Sequence, residues 1–140
     1  MEDSIVINRP VEEVFAYLTD VTNWSRWNEA VGNVVQTPPG PMGLGTTLRG
    51  AGEVMGRIMQ YSGEILEYDP NKKVVQKMRV GPADIQASWL FEPVEGGTRL
   101  TLRSEADTSG PFKVAGPLID RMVKKQLEEN LARLKAVLEE

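Results

Sequence analysis

The sequence contains no cysteine and no histidine. Without Cys there is no disulfide, no thiol nucleophile, no Cys-x-x-Cys redox site and no thiolate-ligated zinc. Without His, the Ser-His-Asp and Cys-His arrangements, the His-Glu-x-x-His zinc site and the commonest general base are all excluded. Any catalysis has to use Asp, Glu, Tyr, Lys, Arg or backbone groups. Long apolar runs are missing as well: none reaches the roughly 18 residues that a membrane-spanning helix needs. The opening Met-Glu-Asp-Ser lacks the basic region of a signal peptide. Together these features predict a cytoplasmic protein with no transmembrane segment. Nor is there a strong excess of one charge, since 16 Lys+Arg stand against 20 Asp+Glu for a net charge of -4. A mildly acidic chain with no long basic run is a poor partner for nucleic acid. The carboxylates are scattered and form no DxDxDG loop, so no metal site and no cofactor is expected.

What is present is a chain of 140 residues, read as one domain over 1–140 that buries its own core without a staple. Residues 4–8 read as a short strand. Pro10, Glu12 and Glu13 suit a helix start, and Val11, Val14, Phe15 and Leu18 then form one apolar face over about 10–19. Trp24 and Trp27, three residues apart, predict a second short helix pressed on something apolar. Strand candidates follow at 30–37, 46–55, 58–68, 73–80, 84–93 and 97–107, separated by Gly, Pro and Asn turns. Alternation is clearest late in the chain. Ile85, Ala87, Trp89 and Phe91 share one face of their strand, and Leu100, Leu102, Ser104 and Ala106 share one face of the next. Residues 117–138 predict a single helix about 33 Å long, with Ile119, Met122, Val123, Leu127, Leu134, Val137 and Leu138 on its apolar side. The expected fold is therefore α+β. A curved antiparallel sheet of about seven strands wraps the long C-terminal helix, with two short helices after the first strand. Where a curled sheet and a straight helix part company, a cavity forms.

That order, with certain residues, resembles the SRPBCC superfamily. The residues are Ile5-Val6-Ile7-Asn8-Arg9-Pro10 followed by Val14-Phe15; Asp20 with Trp24 and Trp27; Glu67-Tyr68-Asp69-Pro70; Glu92-Pro93 with Gly96-Gly97-Thr98-Arg99; and Gln126-Leu127-Glu128 with Leu131-Ala132-Arg133-Leu134-Lys135. The helix-grip fold of that superfamily is shared by START-like and pollen-allergen-like proteins, and the nearest look is its polyketide cyclase/dehydrase-like branch. The resemblance implies the fold over nearly the whole chain. It implies no particular activity, because the superfamily includes lipid carriers, cyclases and chaperone activators, and no catalytic residue carries over by position.

Function then rests on the residues that would face the cavity. Asn130 falls near the centre of the apolar arc of the last helix, with Gln126 one turn earlier. A buried amide without a partner costs about 1–3 kcal/mol. These amides therefore bond to the sheet backbone or to each other, or they face a ligand. Gln76 and Met78 share the inward face of their strand. The expected ligand-binding set is Gln76, Met78, Trp89, Phe91, Leu100, Leu102, Met122, Val123, Gln126 and Asn130. Its apolar members would form walls and its amides would fix a polar group. Tyr61, Arg49, Glu53, Glu64 and Arg79 are the plausible acid, base or charge-stabilising types, or else the solvated face of the sheet. Gly50 and Gly52 either leave space beside the helix or let the sheet bend. Neither Gly50-x-Gly52 nor Gly43-x-Gly45 completes a GxGxxG fingerprint, since Met55 and Leu48 stand where the third glycine would be. The leading expectation is a binding protein for a small, mostly apolar molecule. The alternatives are a cyclase- or dehydratase-type enzyme and a protein-interaction module displaying Trp24, Trp27 and the loop 38–45.

Overall fold

A computed structural model describes residues 2–28, 31–54, 56–80, 83–106 and 116–140, leaving aside the side chains of 31–33, 53, 54, 83, 106, 116–120, 122 and 123. The elements are β1 (Glu2–Ile7), α1 (Val11–Leu18), a 3-10 turn (Val21–Asn23), α2 (Trp24–Trp27), β2 (Val31–Thr37), β3 (Thr47–Val54), β4 (Arg57–Asp69), β5 (Lys73–Val80), β6 (Ala83–Val94), β7 (Gly97–Ala106) and α3 (Gly116–Leu138). All seven strands join one sheet in the order β1-β7-β6-β5-β4-β3-β2. Every neighbouring pair is antiparallel. The sheet stays open, with β1 and β2 at its edges.

Local sequence explains the layout. Pro10 sits just before α1 with φ −60°, and Val14, Phe15 and Leu18 turn their shared face into the core. The Asp20 side chain accepts from the Thr22 backbone N–H at 3.0 Å and starts the 3-10 turn. That turn swings the chain back so that Trp24 donates its indole N–H to the Leu18 carbonyl at 2.7 Å. At the β6–β7 turn, Gly97 lies directly against the Ile7 carbonyl, and a Cβ there would overlap it. A glycine is needed for β1 to dock beside β7.

The first part of the chain and the last part meet. Leu127, Leu131 and Leu134 of α3 join Ile7, Val14, Leu18, Leu48, Ile65 and Leu100 in one core. The end of α3 is tied to the corner between β1 and α1. Lys135 Nζ donates to the Val6 carbonyl at 2.7 Å, and Glu139 accepts from the Asn8 backbone N–H at 2.9 Å. Hydrogen bonds from Lys135 and Asn8 hold the Glu139 carboxyl below the usual carboxylate range.

Aromatic rings gather in two places. Phe15 stands edge-on to Tyr68 and to Phe91, with centroids 5.5 and 5.0 Å apart. Trp24 and Trp27 stand edge-on to Trp89 at 5.7 and 6.3 Å. Both α2 tryptophans are only 4% exposed, so they form no surface patch for a protein partner. In the neighbouring loop Met42 is buried as well, while Leu44 is exposed.

Candidate functional site

The sheet brings inward-facing residues into rungs across adjacent strands. One rung is Val74–Trp89–Leu102, the next is Gln76–Ala87–Ser104, and a third begins with Met78–Ile85. Successive rungs on one face lie about 7 Å apart along the strands. The Phe91–Leu100 rung lies on the opposite side of Trp89 and is closed by Phe15 of α1. Above the Gln76 and Met78 rungs there is a cavity of about 220 Å³. Trp24 and Trp27 of α2 bound it on one side, and Gln126, Leu127 and Asn130 of α3 on another.

Of the residues expected from sequence, Gln76, Met78, Trp89, Leu102, Gln126 and Asn130 meet around this space. Phe91 and Leu100 do not: both are packed in the closed core one rung away. The Met122 and Val123 side chains lie outside the described residues. Gly50 and Gly52 sit in β3, away from the cavity lining. Arg49, Glu64 and Arg79 are exposed on the other side of the sheet, where Arg79 pairs with Asp84 at 2.9 Å. The Glu53 side chain is outside the described residues.

Tyr61 departs from that solvated set. It is buried and lines the cavity together with Gln76, whose amide Nε2 donates to the Tyr61 hydroxyl. The signal for it was in β4, where Tyr61 alternates in phase with Gly63 and the core residue Ile65. Gly63 makes room for the pair, because a Cβ there would overlap the Gln76 amide. Burial pushes the Tyr61 hydroxyl well above the usual phenol range, with the Gln76 bond pulling weakly the other way. Tyr61 is therefore a neutral phenol at physiological pH, fit to donate a hydrogen bond.

The polar groups of α3 are also paired. Gln126 Nε2 donates to Asn130 Oδ1 at 2.8 Å. The wall has little charge. Arg103 borders the cavity, but its guanidinium is turned outward onto Glu2 at 2.6 Å. Among the described residues no carboxylate lines the space, and no group of three acidic side chains converges to hold a metal ion. The indole N–H of Trp27 and, away from this lining, the hydroxyl of Tyr17 are buried with no hydrogen-bond partner among the described residues. The arrangement can enclose a small apolar body and offer it neutral hydrogen-bonding groups.

The sequence profile of the family described as "Polyketide cyclase / dehydrase and lipid transport" matches residues 1–139. The chain belongs to this family. Among curated proteins, none matches it by sequence. Solved structures similar to this family member include TTHA0849 from Thermus thermophilus, at 19% identity and a TM-score of 0.82, over 99% of this chain and 95% of that one. The Zhui aromatase/cyclase from Streptomyces sp. R1128 matches at 15% identity and 0.79, over 99% and 92%. Ara h 8.0201 matches at 14% identity and 0.73, over 99% and 95%. At such identities the likeness is one of fold. Among the described residues no helix is long and apolar enough to cross a membrane.

Proposed function

We propose that this chain binds and carries a small, mostly apolar molecule, lipid-like or aromatic, between the sheet and α3. The observation that supports this most is the cavity wall itself. Trp24, Trp27, Trp89, Leu102 and Leu127 enclose it, its polar groups are mostly amides and hydroxyls, and the Arg103 guanidinium at its border is paired with Glu2. A cavity of about 220 Å³ is large enough for a compact ring system, since one of about 150 Å³ accepts benzene. The three tryptophans of the chain all border the space, so their fluorescence reports on occupancy. Titration with naphthalene and with 1-naphthol should give saturable quenching. Native mass spectrometry of protein purified without detergent should show a co-purifying or added molecule at one per chain. No saturable change with either compound, and no adduct, would overturn the reading.

A second reading is an enzyme of the cyclase or dehydratase type, for which the family description and the buried Tyr61 speak. Tyr61 keeps its proton and would serve there as an acid or hydrogen-bond donor. The lack of a carboxylate in the described wall leaves it without the partner base such chemistry uses, so binding is the better-supported role.

A further inference from the structure

Arg49, Glu64 and Arg79 take no part in the cavity, yet the sheet gathers them on its other face. Arg49 alternates with the inward Leu48, Ser62 lies between the inward Tyr61 and Gly63, and Arg79 follows the inward Met78. The register sets Arg49 opposite Ser62 and Ser62 opposite Arg79, so the three form one row across β3, β4 and β5. Adjacent strands lie about 4.8 Å apart, which places the two arginine backbones about 10 Å from each other, one on each side of the short Ser62. Long side chains around a short one leave an open groove of about 480 Å³, bordered also by Thr47, Glu64, Lys77 and Asp84.

The two arginines differ. Arg79 is fixed, since its Nε and Nη2 donate to the two oxygens of Asp84 at 2.9 and 3.2 Å, and its Nη1 protons are left over. The bond from Arg79 holds the Asp84 carboxyl below the usual carboxylate range, so the pair stays ionised. Arg49 has no hydrogen bond or ion pair among the described residues, and neither has the Ser62 hydroxyl. In the next row Glu64 stands opposite Lys77. With Arg79 set on Asp84 and Lys77 facing Glu64, the charge of Arg49 is the surplus of the groove. A single guanidinium matches a carboxylate, in one plane. A phosphate ester has three terminal oxygens, and here three donors come from three strands, a guanidinium on either side and a hydroxyl beneath. We infer that the Arg49–Ser62–Arg79 row is a binding site for a phosphate monoester group. The site lies on the outer face and is independent of what the cavity holds.

The probe is methyl phosphate, used above about pH 7, where a monoester is mostly a dianion. In a ¹⁵N-labelled sample the arginine Nε–H signals of Arg49 and Arg79, assigned by their loss in Arg49→Gln and Arg79→Gln, should move saturably. The three tryptophan indole signals, which border the cavity, should not move. Arg49→Gln should weaken binding at least about 5-fold, the loss of one charge-assisted bond. Ser62→Ala should weaken it less, and Glu64→Gln should strengthen it by removing a nearby negative charge. Arg99→Gln, on the β6–β7 hairpin, should leave it unchanged. Arg49, Ser62 and Glu64 are exposed, so these variants should melt like the wild type. No saturable shift at Arg49 and Arg79, or an equal loss in Arg99→Gln, overturns the site. An equal response to acetate at the same ionic strength overturns the choice of phosphate. Sedimentation with phosphatidylcholine vesicles only when they contain phosphatidic acid, lost in Arg49→Gln, would assign the phosphate to a lipid headgroup. Methyl phosphate binding without such sedimentation would assign it to a free ester.

Discussion

Leu134 and Tyr61 show what one side chain settles. Leu134 is fully buried one turn beyond Asn130, where α3 meets the core rather than the cavity. Leu134→Ala should cost about 2–5 kcal/mol, because the site is enclosed and cannot collapse around the missing carbons. A denaturation midpoint unchanged by the substitution would contradict that packing. Tyr61 makes a different prediction, through pH. Its folded-state affinity for the proton is raised by burial, whereas in the unfolded chain it ionises near the ordinary phenol value. Its contribution is thus complete below about pH 10 and drains away as pH rises, by up to about 1.4 kcal/mol per pH unit. Ultraviolet titration should show one phenol, absent from Tyr61→Phe, that ionises well above the ordinary range. Alkaline denaturation of Tyr61→Phe should show a shallower loss of stability between about pH 10 and 12 than the wild type (about one proton's worth). Parallel curves for the two proteins would mean that Tyr61 is solvated.

At the scale of elements, periodicity was a good guide to which side of a strand a residue faces and a poor one to how far along it lies. The alternation of Ile85, Ala87, Trp89 and Phe91 put all four on one face, and they share it. Only the packing of α1 against that face closes the Phe91 end and leaves the Ile85 end open. No local pattern encodes that, because it depends on contacts between Phe15 and a strand some seventy residues away. The long helix was legible from its apolar arc, and so was the anomaly of Asn130 within it. That Asn130 pairs with Gln126 follows from their one-turn spacing. This pairing sharpens what Asn130→Leu should do. It removes a buried amide whose partner, Gln126, is only half-buried and can turn to solvent, so stability should hold or rise. Binding of 1-naphthol should weaken by about 1–3 kcal/mol as its hydroxyl loses the amide, while naphthalene binding survives. Thermal melts and fluorescence titrations on the one variant check both, and lost stability with unchanged binding would assign Asn130 to the scaffold instead.

For the whole molecule, the cavity is a place where stability and function oppose each other. The core beneath α1 is closed, yet a volume of about 220 Å³ remains open between the sheet and α3. Leaving such a space empty forfeits contacts that a solid core would make. A ligand that enters only the native state returns them, adding about 2.7 kcal/mol of apparent stability at a hundredfold excess over Kd. Ala87 sits mid-floor, between Gln76 and Ser104 on the same rung, and is the smallest apolar residue of the wall. Ala87→Leu extends three carbons into the space. Each buried methylene is worth about 0.8 kcal/mol, against about 1–3 kcal/mol when a site is overfilled. If the space is a true cavity, the unliganded variant should melt at or above the wild-type temperature, and tetralin should no longer raise that temperature. If the space is instead taken up by ordinary side-chain motion, Ala87→Leu should melt lower and respond to tetralin as the wild type does. The two outcomes differ in both readouts, so one pair of melting curves, with and without tetralin, decides whether this protein keeps its centre open for a guest.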